Sequence, residues 1–326
     1  MTAPFLQKLD QPPIQTDPYL LADYVEVLCL VNPDWTISQA EVLGRFQKDA
    51  DLVAESDFAE QEGETEAEKD DRNNRKIKDA FRQMRYRVGA FGDSYPFRLS
   101  EESGVLFRHK DITYRHKLYI FLLISSNLRF FSRSERNKIT SGFEAVSSIA
   151  LKSYLIEKAQ VHIFGKNILG EDSRYKGKKL EKIKLLAQDL REQTTFQSEE
   201  QFSEHDTGDA GLDIVAWVPI GDDAQSFLII LAQCACTLNW VTKQYSASYD
   251  SWSPFIRFTA RPNNMIFIPF CFRGANGGWY QYHDVKKSIL VDRLRLIKLL
   301  ENYDNRLHGL PYNIVKRAID FEESLF

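Results

Sequence analysis

The chain has 326 residues, of which 43% are hydrophobic and 27% charged, with a formal net charge of -4. This composition excludes a chain too polar to bury a core and a protein coated in basic surface, although a local basic groove stays compatible with it. Four cysteines, Cys29, Cys234, Cys236 and Cys271, form no CxxC pair and no Cys/His zinc spacing, so buried free thiols in a reducing cytoplasm are expected.

The opening residues, MTAPFLQKLDQPP, lack the basic-then-apolar pattern of a signal peptide, and the longest apolar run, around YIFLLI, is too short to span a bilayer. No membrane association is expected. Pro12, Pro13 and Pro18 make the first residues an irregular arm. LLADYVEVLCLV has helical spacing, and WTISQAEVLGRFQ reads as a second helix capped by Thr36 or Ser38. Residues 55 to 76 are nearly all charged and read as a solvated loop or helix face. KDAFRQMRYRVGAF resumes a helix, SYPFRLSEESGVLFRHKD gives a turn and short strand character, and YRHKLYIFLLISSNLRFF reads as a buried helix.

Near residue 135 the pattern changes. SGFEAVSSIALKSYL puts Phe143, Val146, Ile149, Ala150 and Tyr154 on one helical face. VHIFG reads as a strand, and KLEKIKLLAQDLREQ as a helix striped by Leu180, Ile183, Leu186 and Leu190. LDIVAWV and SFLIILAQ are strands joined by a hairpin loop. TLNWVTKQYSASY reads as a helix, NMIFIPFCF as a buried strand, and SILVDRLRLIKLLENY as a helix. The expected architecture is α/β: a helical N-terminal domain over 1–135, serving as a cap or docking a partner, then a domain over 136–326 with a mixed sheet flanked by helices.

The two central strands are too apolar to be solvated on either face. A carboxylate in such a run costs several kcal/mol unless it is paired or binds a cation. Asp213 opens its strand just after Gly211, which permits a tight turn. In the next strand Gln233 and Ala235 point one way and Cys234 the other. If the strands are neighbours, Asp213 and Gln233 converge, and both bring oxygens suited to a hard divalent cation. Asp206 and Asp209 lie upstream, either supporting that site or simply solvated. A thiol nucleophile would need a histidine, and the nearest, His205, has no motif around it.

The order of Gly-Phe-Glu on a helix, Gly-Leu-Asp on a strand, a strand ending in Gln, and then a helix resembles the PD-(D/E)XK nuclease superfamily, and within it the Mrr-type restriction endonuclease branch. The likeness covers roughly residues 141 to 245. It implies a restriction-endonuclease-like fold and a magnesium- or manganese-dependent deoxyribonuclease. By the resemblance Glu144 matches the acid of the first helix, Asp213 the metal-binding aspartate and Gln233 the variable ligand. The family's lysine falls at Ala235, which leaves two readings. Either Lys243 on the following element supplies the cation, or the site is degenerate and the chain is a nuclease-fold subunit that binds DNA or a partner. Glu144 also reads as an acid serving the helix dipole, and Lys243 as a solvated lysine.

A nuclease must hold phosphates. The basic run 166–184, with Arg174, Lys176, Lys178 and Lys179, is the candidate DNA-binding segment, while KIKDAFRQMRYR and RLRLIK read first as solvated faces. No GxxxxGK[ST] loop occurs, so ATP use would come from a partner such as a helicase or sensor subunit; a homo-oligomer is the other expected means of restraint. The resemblance further implies a role in bacterial antiviral defence.

Overall fold

The computed structural model describes residues 5–48, 65–100, 102–165, 174–196, 198, 202–203, 206–302 and 310–323. The chain is a mixed α/β protein divided into two compact units. The first comprises Met1–Arg136, Phe270–Gln281 and Pro311–Phe326, and the second Asn137–Pro269 and Tyr282–Leu310. The sequence reading gave everything after residue 135 to one domain. Segments 270–281 and 311–326 differ from it by clustering with the N-terminal residues.

In the first unit Pro18, pre-set for a helical φ, starts α1 (Pro18–Val31), which is buried on every side. β1 (Thr36–Ser38) follows, then α2 (Gln39–Lys48). The sequence pattern began a helix within WTISQAEVLGRFQ with Thr36 or Ser38 as its cap; Thr36–Ser38 pairs antiparallel with a distant strand, and the helix starts after Ser38. Ser38 then caps α2, its Oγ accepting from Glu41 N–H while Glu41 accepts from Ser38 N–H. α3 (Glu66–Phe91) absorbs the second half of the charged run and is capped by Thr65 with Glu68; residues 55–64 lie outside the described part. β2 (Phe97–Ser100) and β3 (Val105–Arg108) form a hairpin, giving the sheet order β1-β3-β2. The buried α4 (Tyr114–Ser125) completes this stretch.

One charge network lies inside the first unit. Arg87 of α3 meets Asp23 and Glu26 of α1 at 2.7 and 2.8 Å, with all three side chains at most 2% exposed. Tyr95 and Tyr119 hydroxyls donate to the two Glu26 oxygens, and Arg87 Nη2 donates to Tyr19 O. Burial works against the guanidinium charge, and Glu26 and Asp23 outweigh it, so Arg87 stays cationic.

The second unit begins with α5 (Arg133–Tyr154), only the first turn of which belongs to the first unit. Then come β4 (Gln160–Ile163), α6 (Lys179–Asp189), β5 (Gln193–Thr194), β6 (Ile214–Val218) and β7 (Leu228–Cys234). Two single-turn helices follow, α7 (Trp240–Lys243) and α8 (Tyr249–Trp252), then β8 (Ile256–Arg257), β9 (Asn263–Phe267), β10 (Ile289–Val291) and α9 (Arg293–Leu299). α10 (Tyr312–Ile319) returns to the first unit.

Among the described residues β10-β9-β7-β6-β4 form one mixed sheet. β4, β6 and β7 are an antiparallel meander, and β7, β9 and β10 run parallel. Both hairpin strands of the meander are buried almost throughout, as their apolar runs demand. Val215, Trp217, Ile229 and Leu231 share one face, by strand parity and register, and join Ile183 and Leu186 of α6 in a common core.

Two helix readings need correction. TLNWVTKQYSASY yields two separate turns, each closed by short-range bonds, and not a continuous helix. SILVDRLRLIKLLENY divides at Asp292. Ile289–Val291 pair in parallel with β9, and the fully buried Asp292 caps α9 by accepting from Arg295 N–H. Among the described residues no helix is long and apolar enough to cross a membrane.

Removing the Arg87 guanidinium leaves two buried acids facing each other. Arg87→Met is therefore expected to lower unfolding stability by about 3–5 kcal/mol, measured by urea denaturation; a loss under about 1 kcal/mol would mean the acids are not held by this pair.

Candidate functional site

The β6–β7 register ends at Ile214↔Ala232, and just beyond that pair the Asp213 and Gln233 side chains meet. The Asp213 backbone is gripped from both sides. Its N–H donates to Ala232 O at 3.0 Å, and its carbonyl accepts from Phe164 N–H at 2.8 Å. Its side-chain Oδ2 accepts from Gln233 Nε2 at 2.5 Å and from Cys234 N–H at 2.6 Å. Asp213 and Gln233 are each 7% exposed. The convergence expected from strand pairing is thus the geometry observed, and Asp213 is more deeply covered than a sheet-edge position implies.

A turn built for close approach delivers Asp213. Asp209 Oδ1 accepts from Gly211 N–H at 2.9 Å, and Ala210 and Gly211 both take positive φ, 53° and 76°. At Gly211 a Cβ would stand 2.7 Å from Ser246 Cβ, so only glycine lets the acid-bearing turn and residues 245–247 pack together.

More acids gather at this point than the motif contains. Asp209 Oδ2 and Asp213 Oδ1 lie 3.5 and 3.8 Å from where a Cβ would sit on Gly165. Glu144, on α5, is close enough for its charge to act on Asp213, Cys234 and Cys236. Burial, with the charges of Asp213 and Asp209 added, pushes the Glu144 carboxyl up to about 9. Asp213 is pushed up to about 7, again by burial first; the Cys234 N–H, the Lys243 ammonium and the Gln233 amide pull against that.

Lys243 ends α7, half-buried; its side chain makes no hydrogen bond or ion pair among the described residues, yet its charge is felt at Asp213 and Cys236. The position that the motif gives to lysine holds the fully buried Ala235, tied by its N–H to Phe267 O. Burial raises the Cys234 and Cys236 thiols well above their ordinary range, which argues against thiolate chemistry. His205 lies outside the described residues.

The predicted phosphate-binding run divides. Arg174 is committed to Asp189, which also accepts from Tyr175 at 2.8 Å, and Lys179 pairs with Asp206 at 2.7 Å. Lys176 and Lys178 are exposed. Residues 166–173 of the run lie outside the described part. Lys182, unremarked in the sequence because it sits in an ordinary amphipathic repeat, is 3% exposed. It donates to Thr207 O at 2.9 Å; burial works against its charge, and Asp209 and Asp206 support it. Asp209, readable as a solvated loop acid, joins the cluster, whereas Asp206 serves Lys179.

Among the described residues no group of three or more His, Cys, Asp or Glu side chains is placed to hold a metal ion. The donors that do meet are fewer: the Asp213 carboxylate with the Gln233 amide, and the Asp209 carboxylate beside Asp213 at Gly165, with Glu144 within electrostatic reach. Gln233 Oε1 and Glu144 Oε2 are both buried without a hydrogen-bond partner, and Gly165 leaves a hollow that a Cβ would fill. An all-oxygen set with few protein ligands fits magnesium, which keeps several of its waters, better than it fits zinc. No family model matches the chain, and no curated protein and no solved structure matches it, so the site has to be judged on this geometry.

Two acids with raised folded-state values favour the folded protein at low pH. Their contribution is complete below the ordinary carboxylate range and is lost as pH rises toward about 7 for Asp213 and about 9 for Glu144. Without metal, Glu144→Gln should flatten the fall in melting temperature between about pH 5 and about pH 8. Parallel curves for variant and native protein would refute a raised Glu144 carboxyl in the folded chain.

Proposed function

We propose that the chain is a divalent-metal-dependent nuclease of the PD-(D/E)XK type, related to the Mrr-like restriction endonucleases and acting on DNA phosphodiester bonds. The carrying observation is the pairing of buried Asp213 with Gln233 at the strand ends, with Asp209 and Glu144 beside them and Lys243 within electrostatic reach. The element order supports it: a helix bearing Glu144, Asp213 just before β6 with Gln233 near the end of the adjacent antiparallel β7, then a short helix bearing Lys243. A role in bacterial antiviral defence, restrained by a partner or by oligomerisation, belongs to the same reading.

In this mechanism Asp213 and Gln233 would hold magnesium or manganese, with Glu144 as a further oxygen donor. The cation would activate water and screen the phosphate. Asp213 keeps its orientation through the Cys234 N–H. Lys243 orients the attacking water or stabilises charge developing on the phosphate, the work that a lysine at 235 would otherwise do. Lys176 and Lys178 contact the nucleic-acid backbone, and Arg174 and Lys179 would have to exchange their acids for phosphates to join them. The second reading, a non-cutting subunit of a defence complex, is favoured by Ala235 and by the absence of a three-residue metal cluster among the described residues.

Plasmid cleavage with magnesium or manganese separates the two. Asp213→Asn and Lys243→Ala should each reduce cutting at least about 100-fold. Manganese should raise the melting temperature of the native protein at pH 8 and leave Asp213→Asn unmoved. Gly165→Ala, which puts a methyl group against the Asp209 and Asp213 carboxylates, should weaken that manganese shift. DNA binding with neither cleavage nor a metal-dependent shift would favour the non-cutting subunit.

A further inference from the structure

Lys243 lies on a four-residue helix, which alone gives little rigidity. The next residue, Gln244, is fully buried in a segment of mostly part-exposed residues. An amide side chain has two donor hydrogens and two acceptor lone pairs, and here all four are used. Nε2 donates to Val241 O at 2.9 Å and to Asp284 O at 2.7 Å. Oε1 accepts from Lys286 N–H at 2.9 Å and from Ser288 Oγ at 2.8 Å. The Gln244 carbonyl accepts from Asn264 Nδ2 of β9 at 2.6 Å.

The lysine-bearing turn is thus fastened on one side to β9 and the 284–288 segment. On the other side Ser246 rests against Gly211, two residues before Asp213. A lysine between two such attachments has its backbone origin fixed, and only its own side-chain torsions remain free.

We propose that Gln244 is the positioning residue of the site: it holds the Lys243 turn so that the lysine faces Asp213. The inference rests on the nuclease reading for its consequence in catalysis but not for its geometry. Glutamine fits the task because glutamate would set a charge against two carbonyl oxygens, and an apolar residue would leave two carbonyls, one N–H and one hydroxyl unpaired.

The test uses the full chain as wild type, Gln244→Met, Ser288→Ala, Lys243→Ala and the Lys243→Ala/Gln244→Met double variant. Trace acetylation with acetic anhydride, read by mass spectrometry and normalised to the exposed Lys78, reports the setting of Lys243 without calling on activity. Manganese-dependent plasmid cleavage supplies the second readout.

Gln244→Met should make Lys243 several-fold more reactive. It should also lower kcat about 100-fold while KM for DNA stays within about twofold, because the lost element is alignment and not substrate binding. The double variant should be no slower than Lys243→Ala alone. Ser288→Ala, which removes one of the four side-chain bonds, should show the same changes at smaller size and keeps the test open should Gln244→Met not fold. Unchanged Lys243 reactivity in folded Gln244→Met and in Ser288→Ala would overturn the proposal, as would a rise in KM alone. If Lys243 is released in these variants but the native chain cuts no DNA with either metal, the positioning claim stands and the nuclease reading falls.

Discussion

A single carboxylate organises the second unit. Asp213 is buried where its charge is disfavoured, and the surrounding structure is arranged to tolerate it: an amide from the facing strand, a backbone N–H from the following residue, and main-chain bonds to both neighbouring strands. Moving the register of β6 against β7 by one residue would turn Asp213 to the opposite face from Gln233 and break this arrangement, so the pairing of the strands and the placement of the acid are one constraint.

The two units handle buried charge in opposite ways. In the first, Asp23 and Glu26 are met by an arginine and several hydroxyls. A network so well supplied is a structural element, and its value lies in fixing how α1 and α3 pack. In the second, Asp213 and Asp209 meet at Gly165, Glu144 and Lys243 act on Asp213 or feel it electrostatically without bonding to it, and two buried oxygens stay unpartnered. Native interiors rarely leave such groups unsatisfied without a reason, and a bound cation is the occupant we propose for them.

Much of this was legible in the sequence because the signals were local. Asp213 stood out in an apolar run after a glycine, and strand alternation put Gln233 on its face. The same local reading failed where distant partners decide the outcome. Thr36–Ser38 became a strand because β3, some seventy residues on, offers its edge, and Ile289–Val291 did so against β9. Asp209 looked like any loop acid, since nothing in its neighbours announces Gly165. Gln244 carried no signal at all: three of the four partners of its side chain lie 40 to 44 residues downstream, and a lone glutamine in a polar stretch is unremarkable.

The attachment of the Lys243 turn also sets an order of assembly during synthesis. Asp213 and Gln233 are 20 residues apart and meet through a hairpin, a short closure that needs no later part of the chain. Lys243 takes its place only after Asn264, Asp284 and Ser288 have been made and docked. A ribosome therefore releases the acidic half of the site before the basic half can be set. The nascent chain carries its carboxylates without an aligned lysine until most of the second unit exists, which delays any activity of the site to the last stage of folding.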